Sequence, residues 1–296
     1  MPGPNCRWPF FRHSSSVIHN YPAVNAKKVT QQSGSNLALA FFSLGRERRA
    51  DITVFYAFCR LVDDIADSAE LPVEDKRRQL ARWRSALSQP TAGEDPLAPQ
   101  VRQLIAKYSM GPEMLEEIIA GVEMDLGDVR YGTWEDLRVY CYRVASAVGL
   151  VSIQIFGCRS SQSREYAIAL GLAFQTTNII RDVAKDMRNR RIYLPQDEMA
   201  RFGYSEAELE RGEYNERFVA LMDFQAQRSR AFYNHAAELL PRQDRRQLLP
   251  ARIMSSVYRA LLAKIERDRF RLFRRDYRLT RVEKAARIAT AILNFW

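Results

Sequence analysis

Two stretches of this chain carry oxygen-bearing side chains at spacings that could hold a divalent cation. The first runs Tyr56-Ala-Phe-Cys-Arg60-Leu-Val-Asp63-Asp64-Ile-Ala-Asp67. Steps of three and four return to one side of a helix, so Tyr56, Arg60, Asp63, Asp64 and Asp67 share a flank. Asp63 and Asp67 then lie one turn apart, ~6 Å along the axis, and repel unless a cation sits between or beside them. Alone, this segment reads equally as a solvated acidic face. The second stretch runs Gln175-Thr-Thr-Asn178-Ile-Ile-Arg181-Asp182-Val-Ala-Lys185-Asp186. Asn178, Asp182 and Asp186 recur every four residues, with Gln175 on the same flank. Residues 167–174 before it are almost wholly apolar, which predicts a helix through the interior. A row of amide and carboxylate oxygens on such a helix is costly unless something binds it.

Hard oxygen donors suit Mg²⁺, with Mn²⁺ as a substitute, because Mg²⁺ keeps some waters and takes further ligands from phosphate. Asp63, Asp67, Asn178, Asp182 and Asp186 are the candidate ligands. Two such rows clamping a diphosphate would form an ionisation site. Diphosphate leaves an allylic carbon only when its growing charge is neutralised by metal and by Arg or Lys. Arg60 and Arg181 lie beside the rows, and Arg188, Arg190 and Arg191 follow the second. These last three read either as ordinary cations at a helix C-terminus or as a clamp ended by the stiff turn Ile192-Tyr193-Leu194-Pro195.

The elements that must position these groups are helices. No proline occurs between Pro112 and Pro195, glycines there are single, and strand-like alternation is absent. Ile52, Phe55, Tyr56, Cys59, Val62 and Ile65 trace an apolar stripe, as do Val144, Val148 and Val151, and Phe270, Phe273 and Tyr277. The periodicity predicts helices at 46–69, 73–88, 99–108, 112–130, 134–157, 162–187, 205–211, 215–240, 244–275 and 280–294. No repeat or linker interrupts them, so 32–296 reads as one all-α domain behind a tail at 1–31.

With 47% hydrophobic residues in 296, the chain can bury a large core. No uninterrupted apolar run reaches the ~18 residues of a membrane span. Residues 1–46 hold no Asp or Glu, a pattern shared by a disordered tail and a targeting peptide, and the tail is the preferred reading. Cys6, Cys59, Cys141 and Cys158 form no Cys-x-x-Cys pair and read as reduced thiols, so a cytoplasmic location is expected. His13, His19 and His235 lack ligand spacing, which argues against zinc. The net charge is +10, and residues 264–287 hold ten basic residues against four acidic ones. Nucleic acid, anionic lipid and diphosphate would all be drawn to that segment.

Tyr56 to Asp67, Tyr140-Cys-Tyr-Arg-Val-Ala-Ser-Ala-Val-Gly149 and Gln175 to Asp197 together resemble the three signature regions of squalene and phytoene synthases. The likeness spans about nine-tenths of the chain. It implies a class I isoprenoid synthase-type helical bundle around a central cavity, two farnesyl or geranylgeranyl diphosphates as substrates, and Mg²⁺ on the two aspartate motifs. By position, Asp63, Asp67, Asp182 and Asp186 resemble the metal ligands, assisted by Asn178 and Asp64. Arg60, Arg181, Arg191 and Tyr193 resemble diphosphate contacts, and Tyr140 the tyrosine of the first half-reaction. Tyr258 and Arg275 resemble a C-terminal tyrosine–arginine pair near the diphosphates, with Arg274 as a rival for the second place. Ser33-Gly34-Ser35-Asn36 resembles a substrate-contact loop, though Asn36 stands where an aromatic is usual. Within the family, Glu117 to Leu126 and Tyr140 to Gly157 look most like bacterial presqualene diphosphate synthases of hopanoid pathways.

The reaction so implied ionises one farnesyl diphosphate. The C2–C3 double bond of a second molecule attacks the cation, and proton loss closes a cyclopropane. Tyr140 or the departing pyrophosphate could take the proton, and Tyr140 could equally be a core tyrosine. The alternative products are phytoene and dehydrosqualene, and NADPH is required only if the reaction continues to squalene. A non-catalytic basic protein is disfavoured, because two oxygen-rich faces would repel nucleic acid unless metal were present. The amphipathic segment 282–296 reads either as a last core helix or as a contact with an anionic membrane.

Overall fold

In the computed structural model, residues 41–293 are described. The expected tail, Ser33, Ser35, Cys6, His13, His19 and the terminal aromatic pair Phe295 and Trp296 lie outside them. A 3₁₀ turn at Phe41–Ser43 leads into α1 (Arg46–Asp67), α2 (Val73–Ser88), α3 (Ala98–Lys107), α4 (Glu113–Glu123) and α5 (Trp134–Phe156). Then come α6 (Gln162–Arg188), α7 (Gln196–Arg201), α8 (Glu206–Glu210), α9 (Glu216–Glu238), α10 (Leu249–Arg267) and α11 (Arg281–Leu293). Among the described residues there is no strand, only an isolated bridge between Val129 and Arg191. The predicted all-α architecture is what the chain adopts.

α6 is the central element. Its 27 residues give it a length of roughly 40 Å, and it packs on α5, α9 and α10. Its start is tied from a distance. The buried Asp244 carboxylate accepts hydrogen bonds from the backbone of Arg159 (2.8 Å) and Ser160 (2.7 Å) and from the Ser163 hydroxyl (2.7 Å). α5 begins with a reciprocal cap between Thr133 and Asp136 and ends at Gly157, whose φ of 78° suits a residue without Cβ. Midway, Tyr142–Ser146 forms a π-helical turn, and Ser146 Oγ donates to the Ile168 carbonyl of α6 (2.9 Å). A Cβ on Gly171 would lie 2.6 Å from Ser146 N and Cα. Glycine there is what lets α5 and α6 approach so closely.

α5 is long and apolar enough to cross a membrane by length and composition, but 67% of its most apolar window is buried inside the bundle. Cys59 and Cys141 are buried, Cys158 is half-buried, and all three are free thiols. Burial, reinforced by Asp63, pushes the Cys59 thiol well above its ordinary range.

Two predicted helices are shorter than expected, and one short helix is additional. The helix expected over 112–130 stops at Glu123. Gly127 takes φ 113°, and the chain then runs beside 190–197, with Ile192 N donating to Val129 O (3.0 Å) and Gln196 N to Tyr131 O (3.0 Å). The helix expected over 244–275 exists only as α10. Pro250 fits its first turn, and positive φ at Arg269 and Phe270 ends helical geometry. The stripe residues Phe270 and Tyr277 are buried all the same, from irregular backbone. α7, the six residues Gln196–Arg201 that follow Pro195, has no counterpart among the predicted helices.

Candidate active site

α1 and α6 share one internal order: apolar side chains first, then oxygen donors toward the C-terminal end. On α1, Ile52, Phe55, Tyr56 and Cys59 line an apolar cavity, and Asp63 and Asp67 follow one and two turns on. On α6, Tyr166, Ala167, Leu170, Gly171 and Phe174 line the same cavity, and Asn178, Asp182 and Asp186 follow one, two and three turns on. Ala145, Val148, Gly149 and Ser152 of α5 and Met254 of α10 complete much of the wall. Of the small residues that could leave room for a chain, Ala145, Gly149 and Gly171 face this space, while Ala147 and Ala173 are buried in packing.

Two cations link the two rows. Arg191, just beyond α6, donates from Nη1 to Asp67 Oδ1 of α1 at 3.0 Å. Lys185 of α6 lies in the field of Asp182 and Asp186 and also of Asp67. Burial pulls the Lys185 amine below its ordinary value, and those carboxylates oppose the shift. Asp63 and Asp186 are 2% and 8% exposed, and the Asp67 side chain 3%. Asp67 is the last residue of α1 and Asp186 lies in the final turn of α6, where the helix dipole already presents negative charge. Buried carboxylates at two such ends call for cations.

Some of these are supplied internally. Arg60 reaches both oxygens of Asp64, with Nε 2.9 Å from Oδ2 and Nη2 2.5 Å from Oδ1. Burial raises the Asp64 carboxyl, and Arg60 opposes it. Arg181 forks onto Asp182, with Nε 2.8 Å from Oδ1, and bonds the Tyr258 hydroxyl. Tyr258 is buried 4.9 Å from the Phe174 ring, and burial pushes its phenol up to about 12 despite Arg181. Gln175 and Asn178 are both buried, 3.5 Å apart between Oε1 and Nδ2. Asn178 Oδ1 is buried with no hydrogen bond.

That acceptor and the all-oxygen donor set fit a hard divalent cation. Among the described residues no group of three His, Cys, Asp or Glu is close enough to enclose an ion unaided. One or two carboxylates with phosphate oxygens completing the shell is the usual arrangement for Mg²⁺.

The remaining expected residues divide. Tyr140 is fully buried, and its hydroxyl donates to Asp125 Oδ2 at 2.9 Å. The Tyr193 hydroxyl donates to Asp125 Oδ1 at 2.5 Å. The two rings stack at 5.1 Å between centroids, with Tyr131 beside both. Arg275 lies elsewhere: its side chain is 65% exposed and pairs with Asp268. Arg188 is exposed, and Arg190 is paired with Asp128 on the surface. Of the three arginines after the second motif, Arg191 is the one turned to an acidic row. Two residues of this region were not singled out from the sequence. Lys185 was visible as a base between two acids. Asp125 was visible as a carboxylate set between the apolar Met124 and Leu126.

An all-α bundle of this kind is the fold of solved isoprenoid synthases. The chain belongs to the squalene/phytoene synthase family, which it matches over residues 30–283, and it is a prenyltransferase-type enzyme. It is 32% identical over 281 residues to the 15-cis-phytoene synthase of Synechococcus elongatus, covering 90% of this chain and 91% of that one. It is 34% identical over 262 residues to the phytoene synthase of Arthrospira platensis, covering 83% and 84%. Among solved structures, a dehydrosqualene synthase superposes with a TM-score of 0.78 at 24% identity, covering 91% of this chain and 94% of that one. Squalene synthase HpnC from Alicyclobacillus acidocaldarius gives 0.72 at 24%, covering 83% and 93%. At that identity the structural likeness carries the fold.

Proposed function

We propose that this enzyme joins two allylic prenyl diphosphates head to head, with Mg²⁺ held by Asp63 and Asp67 on one side and by Asn178, Asp182 and Asp186 on the other. The observation that carries the reading is the shared order of α1 and α6, each passing from cavity wall to oxygen row in the same direction. Bound there, Mg²⁺ would supply the positive charge that lets pyrophosphate leave an allylic carbon. Arg60, Arg181, Lys185 and Arg191 add fixed positive charge around the departing group. Phe55, Phe174, Leu170 and Met254 keep the prenyl chains dry, so water does not capture the cation. Tyr140, its hydroxyl engaged by Asp125, lends itself to orientation more than to proton abstraction.

The relatives named phytoene synthase favour a phytoene-type product from two geranylgeranyl diphosphates. Presqualene diphosphate from two farnesyl diphosphates is the second reading, supported by the character of 117–126 and 140–157. NADPH enters only if that product is reduced onward. Incubating the enzyme with each diphosphate, with and without NADPH, and identifying the products extracted directly and after phosphatase treatment tests both. Pyrophosphate release from neither substrate in the presence of Mg²⁺ would overturn the proposal.

A further inference from the structure

We infer that Asp125 is a positioning residue for the diphosphate clamp, holding Arg191 and Tyr193 in place through bonds made by its side chain and its backbone. The inference rests on the proposed function for its consequence in substrate binding, but its structural half stands alone.

Asp125 is 1% exposed. Its two carboxylate oxygens each accept a phenol from a different part of the fold: Oδ2 from Tyr140 on α5 at 2.9 Å, Oδ1 from Tyr193 in the segment after α6 at 2.5 Å. Its carbonyl oxygen accepts a third bond, from Arg191 Nη2 at 3.2 Å, while Nη1 of the same guanidinium reaches Asp67. One residue thus meets the clamp at two points, through the Tyr193 phenol and through the Arg191 fork. Four consecutive buried residues, 192–195, follow Arg191. Arg190 has φ 59°, so the backbone just before the clamp is held in a conformation that a non-glycine residue adopts only when its surroundings require it. A charge-assisted hydrogen bond in a buried site is among the stronger polar tethers. The Tyr140–Tyr193 stack adds an aromatic contact between the same two segments.

The Asp125 carboxylate bonds Tyr140 and Tyr193, and its carbonyl bonds Arg191. Its proposed effect on substrate binding passes through Arg191 and Tyr193. Asp125→Asn keeps the shape and removes one of the two acceptors. In the metal-free protein, hydrogen exchange should quicken at the Arg191 and Ile192 amides, which bond Asp186 O and Val129 O at 3.0 Å each. Amides of α9 and α10 should be unchanged. Calorimetry with Mg²⁺ and inorganic pyrophosphate should show affinity lowered about tenfold, the effect of one charged hydrogen bond. In an Arg191→Gln background the same substitution should cost clearly less, because the Arg191 half of the clamp is gone and only the Tyr193 half remains.

Unchanged exchange at 191–192, or equal losses in both backgrounds, would overturn the inference. Should Asp125→Asn not fold, Tyr193→Phe removes one hydroxyl and must give the same local exchange and the same dependence on Arg191. Failure of the parent protein to bind pyrophosphate would strike the proposed function instead, and the exchange measurement would still decide the positioning role.

Discussion

Arg191 Nη1 stands 3.0 Å from Asp67 Oδ1, joining the residues after α6 to the last residue of α1. Under the proposed function, this bond would be exchanged for metal and diphosphate when substrate enters. Asp67 is buried and Arg191 largely so, with side chains 3% and 11% exposed, so their charge is weakly screened.

Replacing Arg191 by Lys keeps the charge but loses the fork that serves Asp67 and the Asp125 carbonyl together. The expected outcome is a KM for prenyl diphosphate raised about tenfold or more, consistent with loss of charged hydrogen bonds. Initial rates of pyrophosphate release across substrate concentration measure it. A KM within twofold of the parent would remove Arg191 from the clamp.

Asp63→Asn and Asp182→Asn should each lower turnover by more than a hundredfold, about 2.7 kcal/mol in the barrier. Because Asp63 is a buried carboxylate near a helix C-terminus, neutralising it should leave the metal-free fold intact, with a melting temperature equal to the parent or higher. Far-UV circular dichroism and a thermal melt check the fold, and product assays check the chemistry. Activity within tenfold in a folded variant would contradict the metal assignment.

Gly171→Ala tests the close approach of α5 and α6. The added methyl meets Ser146 backbone at 2.6 Å, which cannot rotate away. The strain should outweigh alanine's helix advantage of ~1 kcal/mol and leave a net loss of about 1–3 kcal/mol. At Gly149 the nearest contact is Ala167 O at 3.1 Å, so Gly149→Ala should cost less. Urea denaturation gives both values, and equal stability of the two variants would refute the packing argument.

A pH effect is expected at α11. Glu283 accepts the Thr280 backbone N–H at 2.6 Å and pairs with Lys264 at 3.1 Å. These bonds, the backbone one foremost, hold its carboxyl at about 2, below the ordinary 4.5. The folded value is the lower one. The contribution to stability is therefore complete above pH 4.5 and is lost as pH falls toward 2. The difference in melting temperature between the parent and Glu283→Gln should shrink across that window. A difference independent of pH between 5.5 and 2.5 would count against it.

Much of this enzyme was legible in the chain because helical periodicity is local. The step of four that aligns Asn178, Asp182 and Asp186 depends only on backbone geometry, as does the apolar stripe on α1, and both were read without knowing any neighbour. The helix content, the oxygen rows and the basic residues beside them followed from that. What the sequence could not decide was which side chains meet from distant segments. Nothing local brings Tyr140 and Tyr193 onto one carboxylate at Asp125, turns Arg191 toward Asp67 while sending Arg275 outward, or breaks the helix at Arg269. Those outcomes depend on how α1, α5 and α6 pack around the cavity and on hydrogen bonds between residues up to 124 positions apart. Pairings at such separations are set by the whole core, because a buried polar group takes whichever partner the packed chain brings within reach.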